Sequence, residues 1–312
     1  MGEGAARRLR VATYNLYLGA DLSLVLGRRS PEELSSNRVE VQRQLETTRF
    51  STWAPSVARL LAAERPDLVG LQEMCTWAAE DRIVSDYTAE LLTALEAAGE
   101  PYEVVSSQLT FTGTGRLPLD GRRLHLEGSN VIIRRKDSAV RVHGTRAGLF
   151  GDALTVSLED GEVSIARGWC DVECTLDGSV FRLVDTHTEA YEPGSRNRQR
   201  DELLDLLGPT EVPLVVVGDF NAGPEDVGMP ESFEDAWTGA GNASGGPGAW
   251  TCCQPADLGG DISALDERID YVWVRGLRVE GSRRIGAAPE DRTPEGLWPS
   301  DHAGVVADLV LP

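Results

Sequence analysis

Hydrophobic runs long enough to cross a membrane are missing from this 312-residue chain, and the first fifteen residues, "MGEGAARRLRVATYN", contain no apolar stretch of the signal-peptide kind. That favours a cytoplasmic protein, with an exported form whose signal has been removed left open. Basic residues are scarce. Lys+Arg total 30 against 50 Asp+Glu, a formal net charge of −20, which is a poor footprint for unaided nucleic-acid binding because much of that affinity comes from neutralising phosphates. The total does not exclude a local basic groove, and a bound divalent cation reverses the local sign. Cysteine is sparse as well. Cys75, Cys170, Cys174, Cys252 and Cys253 form neither an even disulfide framework nor a zinc-ligand spacing. On one strand Cys170 and Cys174 would stand roughly 13 Å apart, out of disulfide reach, so reduced thiols are expected. Internal repeats and low-complexity linkers are also absent.

What is present is a 41% hydrophobic share, enough for a real core, arranged in short apolar runs. Strands are expected at 9–15, 67–72, 102–109, 130–134, 162–175, 180–186, 214–218, 268–274 and 304–309. Phe50, Trp53, Val57, Leu60 and Leu61 fit one helix face, with Pro55 tolerable only in a first turn. Further helices are expected at 87–98 and 198–207. Many strands, few helices and a hairpin-like pair at 162–175 with 180–186 predict sheets packed face to face with helices outside. The glycine-rich stretch 239–261 reads as a long loop, and loops of that length are usually functional or mobile.

"LVVVGDFNAGP" at 214–224 poses the functional question. A buried aliphatic strand runs into Gly218 and then presents Asp219 and Asn221 two positions apart, so that they point the same way. Other apolar runs end similarly, in Asn15, Glu73, His187, Asp270 and the pair Asp301-His302. Any one of these is ordinarily a turn or cap residue. Together they describe a site in which neighbouring strand ends converge. Carboxylates and carboxamides are hard oxygen donors suited to Mg²⁺, Mn²⁺ or Ca²⁺. Histidines beside carboxylates add proton-transfer groups near neutral pH. Metal, carboxylate and imidazole together suit hydrolysis of a phosphate ester.

The blocks "TYNL" (13–16), "PDLVGLQEM" (66–74), "GSNVIIRR" (128–135), "ARGW" (166–169), "DTH" (185–187), "GDFNAGP" (218–224), "RIDYVWV" (268–274) and "SDHAGVVADL" (300–309) resemble, in order, the signature blocks of the endonuclease/exonuclease/phosphatase superfamily. "YNLYLGADL" is most similar to uncharacterised bacterial members. The resemblance implies a four-layered α/β sandwich, two mainly antiparallel sheets flanked by helices, as a single domain over 1–312 with its core at 9–312. It implies that Asn15, Glu73 and Asp301 bind the catalytic cation, Mg²⁺ with Mn²⁺ or Ca²⁺ as alternatives, Glu73 being the principal ligand. Asp219 and Asn221 would orient the attacking water and a phosphate oxygen. His187, and His302 paired with Asp270, would flank the scissile phosphate, with Arg167 and Asn130 contacting phosphate or substrate. Asn15 and Glu73 are 58 positions apart, and the excess over a minimal member points to a family-variable insertion at 16–50, read as a surface helix in preference to a cap over the cleft.

The expected function is metal-dependent hydrolysis of a phosphodiester or phosphomonoester of a small-molecule, lipid-headgroup or nucleotide-like substrate, by a monomer. A nuclease acting on DNA or RNA is the alternative, disfavoured by net charge, and an inactive binding module is the third reading. Trp53, Trp237, Trp273 and Trp298 are expected in the core and Trp250 at a substrate rim. His125 and His143 are expected at the surface, and "RRLR" (7–10) and "RRK" (134–136) as solvated basic faces.

Overall fold

The structure, a computed structural model, describes residues 7–26, 29–80, 82–116, 123–158 and 161–312. Residues 1–6 of the N-terminal stretch and 27–28 of the 16–50 segment lie outside the described residues. Side-chain alternation decides which way each strand faces. Leu9 and Val11, Phe181 and Leu183, Val215 and Val217, Val272 and Val274, and Val305, Ala307 and Leu309 all enter one layer between two sheets. Their neighbours face outward. Ala12, Tyr14, Val69 and Leu71 pack under helices Phe50–Glu64 and Tyr87–Ala97, with Trp53, Val57, Leu61, Leu91 and Leu95 covering them. Val184, Leu214, Val216, Tyr271 and Trp273 pack under Leu203 and Leu207 of helix Pro193–Leu207. Buried on both faces, these strands read as continuous aliphatic runs, each fully buried Leu or Val being worth roughly 1.5–3 kcal/mol. The result is helix, sheet, sheet, helix: the expected four-layered sandwich.

The seven-stranded sheet runs in the order Arg278–Ile285, Gly304–Leu311, Arg7–Asn15, Leu68–Ala79, Arg123–Arg135, Tyr102–Arg116, with Arg82–Asp86 paired to Leu68–Ala79. The six-stranded sheet runs Glu234–Asp235, Asp270–Arg275, Leu214–Asp219, Ser179–His187, Gly168–Leu176, Arg141–Leu149. Each contains one parallel pair, Arg7–Asn15 with Leu68–Ala79 and Ser179–His187 with Leu214–Asp219, among antiparallel neighbours. The sheets approach closely at Gly70. A Cβ there would lie 2.5 Å from Val217 Cγ2 and 2.6 Å from Asp185 Oδ1.

Some local expectations need correction and others hold. The run 162–175 splits at Ala166-Arg167. Only Gly168–Leu176 forms the hairpin with Ser179–His187, while Gly161–Ile165 pairs with Leu154–Leu158. Pro55 stands sixth in its helix, past the first turn. It forfeits the bond to the Ser51 carbonyl, and the burial of Trp53, Ala54 and Val57, each at most 1% exposed, holds the turn. The 16–50 segment contains helix Pro31–Thr47, opened by Pro31 and a capping box between Ser30 and Glu33 and turned mostly to solvent. Cys252 and Cys253 are not reduced thiols but a disulfide between adjacent residues, a pairing that spacing rules for separated cysteines pass over. Cys75, Cys170 and Cys174 are free and buried. Arg134 and Arg135 do not form a solvated basic face: they pair with Glu103 and Asp67. Trp53, Trp237, Trp273 and Trp298 are buried, and the His125 and His143 side chains bond to exposed neighbours as surface residues do.

Candidate active site

The layer between the sheets is aliphatic through its middle and turns polar at one end, on the same side-chain parity. Leu9 and Val11 lead to Thr13 and Asn15, Phe181 and Leu183 to Asp185 and His187, Val215 and Val217 to Asp219, and Val274 and Val272 back to Asp270. Asp219 lies opposite both His187 and Asp270 in the ladder. This is why a buried strand ends in polar side chains: they form the polar, still buried end of the core layer. Gly218 has φ +150, and a Cβ there would collide with the Thr186 carbonyl of the adjacent strand. Asn221 takes φ +47, a left-handed conformation asparagine tolerates.

Glu73 reaches the site by another route. The pairing of Leu68–Ala79 with Arg123–Arg135 shifts register between Leu71 and Met74, and Glu73 has φ +56. This β-bulge re-aims one side chain. Gln72 therefore points between the sheets, while Glu73 accepts the backbone N–H of Leu18 at 2.8 Å and the Asn15 amide at 3.1 Å. Asn15 Nδ2 also donates to Asp219 Oδ2 at 3.0 Å, and its Oδ1 accepts the N–H of Tyr17 at 3.0 Å. Asn15 thus offers the centre its NH₂ group and braces two carboxylates. Asp219 Oδ1 accepts the backbone N–H of Asn221 at 2.8 Å, and the Asn221 amide donates to the Thr188 carbonyl at 2.9 Å.

The two histidines occupy opposite electrostatic settings. His302 Nδ1 lies 2.9 Å from Asp270 Oδ2, and its Nε2 lies 3.8 Å from Asp219 and 3.9 Å from Asp301. Burial opposes its protonation, but Asp270, Asp301 and Asp219 outweigh that and raise its pKa well above the ordinary value. His187 is buried beside Arg167, whose NH1 stands 3.3 and 3.4 Å from the two ring nitrogens. Near-equal distances put the guanidinium over the ring instead of in line with either lone pair. Burial first, then Arg167 and His302, push the His187 pKa well below its usual value. Asp219 is raised to about 7 by burial and Asp270, against the pull of His302, Asn15 and the Asn221 N–H. Asp301 is likewise raised to about 7 by burial and by Glu73, Asp219 and Asp270, although its side chain keeps 20% of its surface open.

Arg167 sits at the break between strands and leans on Glu189, its Nε 3.5 Å from Glu189 Oε2. Asn130 is 1% exposed and donates to the carbonyl of Gly168, the residue after Arg167, while its Oδ1 has no partner. The structure therefore gathers Asn15, Glu73, Arg167, His187, Asp219, Asn221, Asp270, Asp301 and His302 by direct contact, and Asn130 one step behind. Sequence reasoning missed Glu189, Asp185, Thr251 and Ser300. Asp185, His187 and Glu189 recur at period two, a readable signal. Thr251 Oγ1, which accepts the N–H groups of Ile269 and Asp270, and Ser300 Oγ, which donates to the Asn15 carbonyl, left no pattern.

Glu73, Asp219, Asp270 and Asp301 crowd four carboxyl groups against one imidazolium, and two of them are held near neutral pKa. That donor set fits a hard divalent cation. Ligand atoms of Asp219, Asp270 and His302 lie within 4.8 Å of one another, but the His302–Asp270 bond commits those two to each other. Glu73 and Asp301 are the more open pair.

Two sheets with an acidic, histidine-bearing centre at one end of their shared layer define a phosphoesterase or nuclease scaffold. The chain belongs to the endonuclease/exonuclease/phosphatase family, whose model matches residues 12–302. Among solved structures, a humanized D. rerio TDP2 carrying 14 mutations is similar at 17% identity, covering 97% of this chain and 99% of that one with TM-score 0.62. The endonuclease/exonuclease/phosphatase from Bacteroides vulgatus is similar at 19% identity, covering 98% and 99%, with TM-score 0.58. D. rerio TDP2 complexed with single strand DNA product is similar at 17% identity, covering 97% and 98%, with TM-score 0.61. At these identities the likeness shows the fold. No curated protein matches the sequence. No described helix is long and apolar enough to cross a membrane.

Proposed function

We propose that the protein is a divalent-cation-dependent phosphoesterase that hydrolyses a phosphate ester of a small-molecule, lipid-headgroup or nucleotide-like substrate, with Mg²⁺ as the expected ion. The observation that carries this reading is the convergence of an acidic cluster, two of its carboxyls raised to about 7, on a histidine pair with opposite protonation preferences. Glu73 and Asp301 would hold the ion, with Asn15 fixing Glu73 by its amide. Bound there, the ion neutralises phosphoryl oxygens. Asp219, with a pKa near neutrality, accepts the proton of the attacking water as its oxygen bonds to phosphorus. His302, charged and steadied by Asp270, gives its proton to the leaving-group oxygen as the phosphorus–oxygen bond to it breaks. His187, kept neutral by burial and by Arg167, contributes a hydrogen bond and no charge, and Arg167 faces the anion.

DNA hydrolysis is the second reading, favoured by the likeness to a TDP2 structure holding a single strand DNA product. Net charge of −20 and arginines engaged by carboxylates, such as Arg10, Arg134, Arg135 and Arg283, argue against a long groove for a polyanion. Phosphodiesters, phosphomonoesters, sphingomyelin and plasmid DNA assayed with Mg²⁺ or Mn²⁺ separate the two. Glu73→Gln keeps size and removes charge, so ion affinity and turnover fall together. Hydrolysis that survives EDTA, or a Glu73→Gln chain at wild-type rate, would sink the proposal.

A further inference from the structure

The segment that follows His187 is pinned at almost every polar group. Thr188 N donates to the Asp219 carbonyl at 3.0 Å and Thr188 Oγ1 to the Phe220 carbonyl at 2.6 Å. Glu189 N donates to Gln199 Oε1 at 2.8 Å, and Arg196 NH1 donates to the carbonyls of Glu189 and Ala190. Tyr191 N donates to Glu189 Oε1 at 2.8 Å, and Glu192 caps helix Pro193–Leu207. Loops that carry function ordinarily move; this one is braced. On it stands Tyr191 with 56% of its surface exposed, among the largest exposed apolar side chains of the described residues.

Glu189 ties Tyr191 to the site: one of its carboxylate oxygens accepts the Tyr191 N–H at 2.8 Å and the other lies 3.5 Å from Arg167 Nε, while the Tyr191 ring is open. Burial, then Glu73, push the pKa of the Tyr191 hydroxyl up, Arg167 opposes, and Asp21 and Glu189 add to the rise. Glu73 and Arg167 belong to the site, and Asp21 to the 16–26 segment, whose Leu18 N–H bonds Glu73. Nearby, Leu149, 48% exposed, packs on Gly168, the residue after Arg167: a Cβ on Gly168 would lie 3.2 Å from Leu149 Cδ2. Tyr191 and Leu149 thus put exposed apolar surface beside the segments that carry Glu189 and Arg167.

We propose that Tyr191 is a specificity-determining residue, a fixed platform on which a planar ring attached to the substrate's phosphate stacks, so that the preferred substrates are small nucleotide-like phosphate esters. A rigid aromatic loses little freedom on stacking, and base–aromatic stacking is sequence-tolerant because every base has a π-face. The inference rests on the phosphoesterase reading and names its substrate class. Lipid headgroups have no such planar ring, and arginines already paired with carboxylates do not supply the basic track that long nucleic acid needs.

The test uses the full chain in Ca²⁺ and measures binding of thymidine 5′-monophosphate and of 2-deoxyribose 5-phosphate, which differ by the ring alone. The wild-type chain should bind the nucleotide about fivefold to a hundredfold more tightly, the range that stacking of one base supplies. Tyr191→Ala should erase that difference and leave 2-deoxyribose 5-phosphate unchanged, and Tyr191→Phe should retain it. A wild-type chain without the preference, one that binds neither compound, or a Tyr191→Ala chain that keeps the preference would overturn the assignment. Hydrolysis is scored separately on bis(4-nitrophenyl) phosphate and on glycerophosphocholine, wild type against Glu73→Gln. Failure on both with metal present defeats the phosphoesterase reading, whereas hydrolysis of both with a Tyr191-independent preference defeats the stacking proposal alone.

Discussion

Asp185 should make the protein lose stability as pH rises through the acid range, and Asp185→Asn should remove that loss. The carboxyl is 0% exposed, between the sheets beside Gly70. One oxygen accepts the Gln72 amide at 2.5 Å and the other has no partner. Burial raises its pKa well above the ordinary value, and the Gln72 and Thr186 hydrogen bonds offset only part of that. The folded chain therefore keeps a proton that the unfolded chain releases above about pH 3.9. Because the unfolded state binds fewer protons, stability is fully present below that pH and falls by up to about 1.4 kcal/mol per pH unit until the folded pKa is reached. The substituted carboxamide would preserve the acceptor oxygen and abolish the titration. Asp219 and Asp301, each raised to about 7, contribute declines of the same sign, but they are common to both chains and cancel in the difference. Urea unfolding with EDTA at pH 5 and pH 6 should show Asp185→Asn gaining on the wild type, by up to about 1.4 kcal/mol over that unit. A difference that stays constant between the two pH values would refute the neutral-acid assignment.

The His302–Asp270 pair should act as one unit. His302→Ala or Asp270→Asn should lower kcat by roughly 10²–10⁴-fold, and the double variant should be scarcely worse than His302→Ala; multiplicative losses, measured by steady-state kinetics per folded molecule, would show the two act independently. Gly70→Ala should destabilise by about 1–3 kcal/mol through overpacking against Val217 and Asp185, with Gly70→Ala/Val217→Ala recovering part of the loss; an unchanged urea midpoint for Gly70→Ala would show that the sheets yield at this point.

The sandwich was legible because its middle layer is sealed on both faces, so Leu214–Asp219 and Asp270–Arg275 had to be written as aliphatic runs. The chemical identities at the ends of those runs were legible for the complementary reason: a polar residue where the pattern demands an aliphatic one is visible as an interruption. Features that depend on backbone departures were hidden. Nothing in "GLQEM" announces that Glu73 adopts φ +56 at a bulge, since the signal is a register shift against a strand some sixty positions away. The split at Arg167 and the sixth-residue Pro55 were hidden likewise, because tertiary packing overrides a local rule in each. Cys252–Cys253 escaped because disulfide arithmetic assumes an intervening loop.

Electrostatic sign was the least legible property, and it carries the chemistry. His187 and His302 are the same residue type at similar depth, and both lie near Asp219, at 3.5 and 3.8 Å. What separates them is one further neighbour each: Arg167 over the ring of His187, Asp270 in line with Nδ1 of His302. With a cation on one imidazole and an anion on the other, burial and Arg167 keep the first uncharged while Asp270 overcomes burial for the second. Glu189 stands behind the first arrangement, since its buried carboxylate is what Arg167 leans on. In the proposed mechanism this division makes His302 the proton donor and His187 the neutral hydrogen-bonding partner before any substrate enters. It rests on His187, Asp219 and Asp270 at strand ends that share a face with the core, together with Arg167 and His302 from the segments just ahead of two further strands.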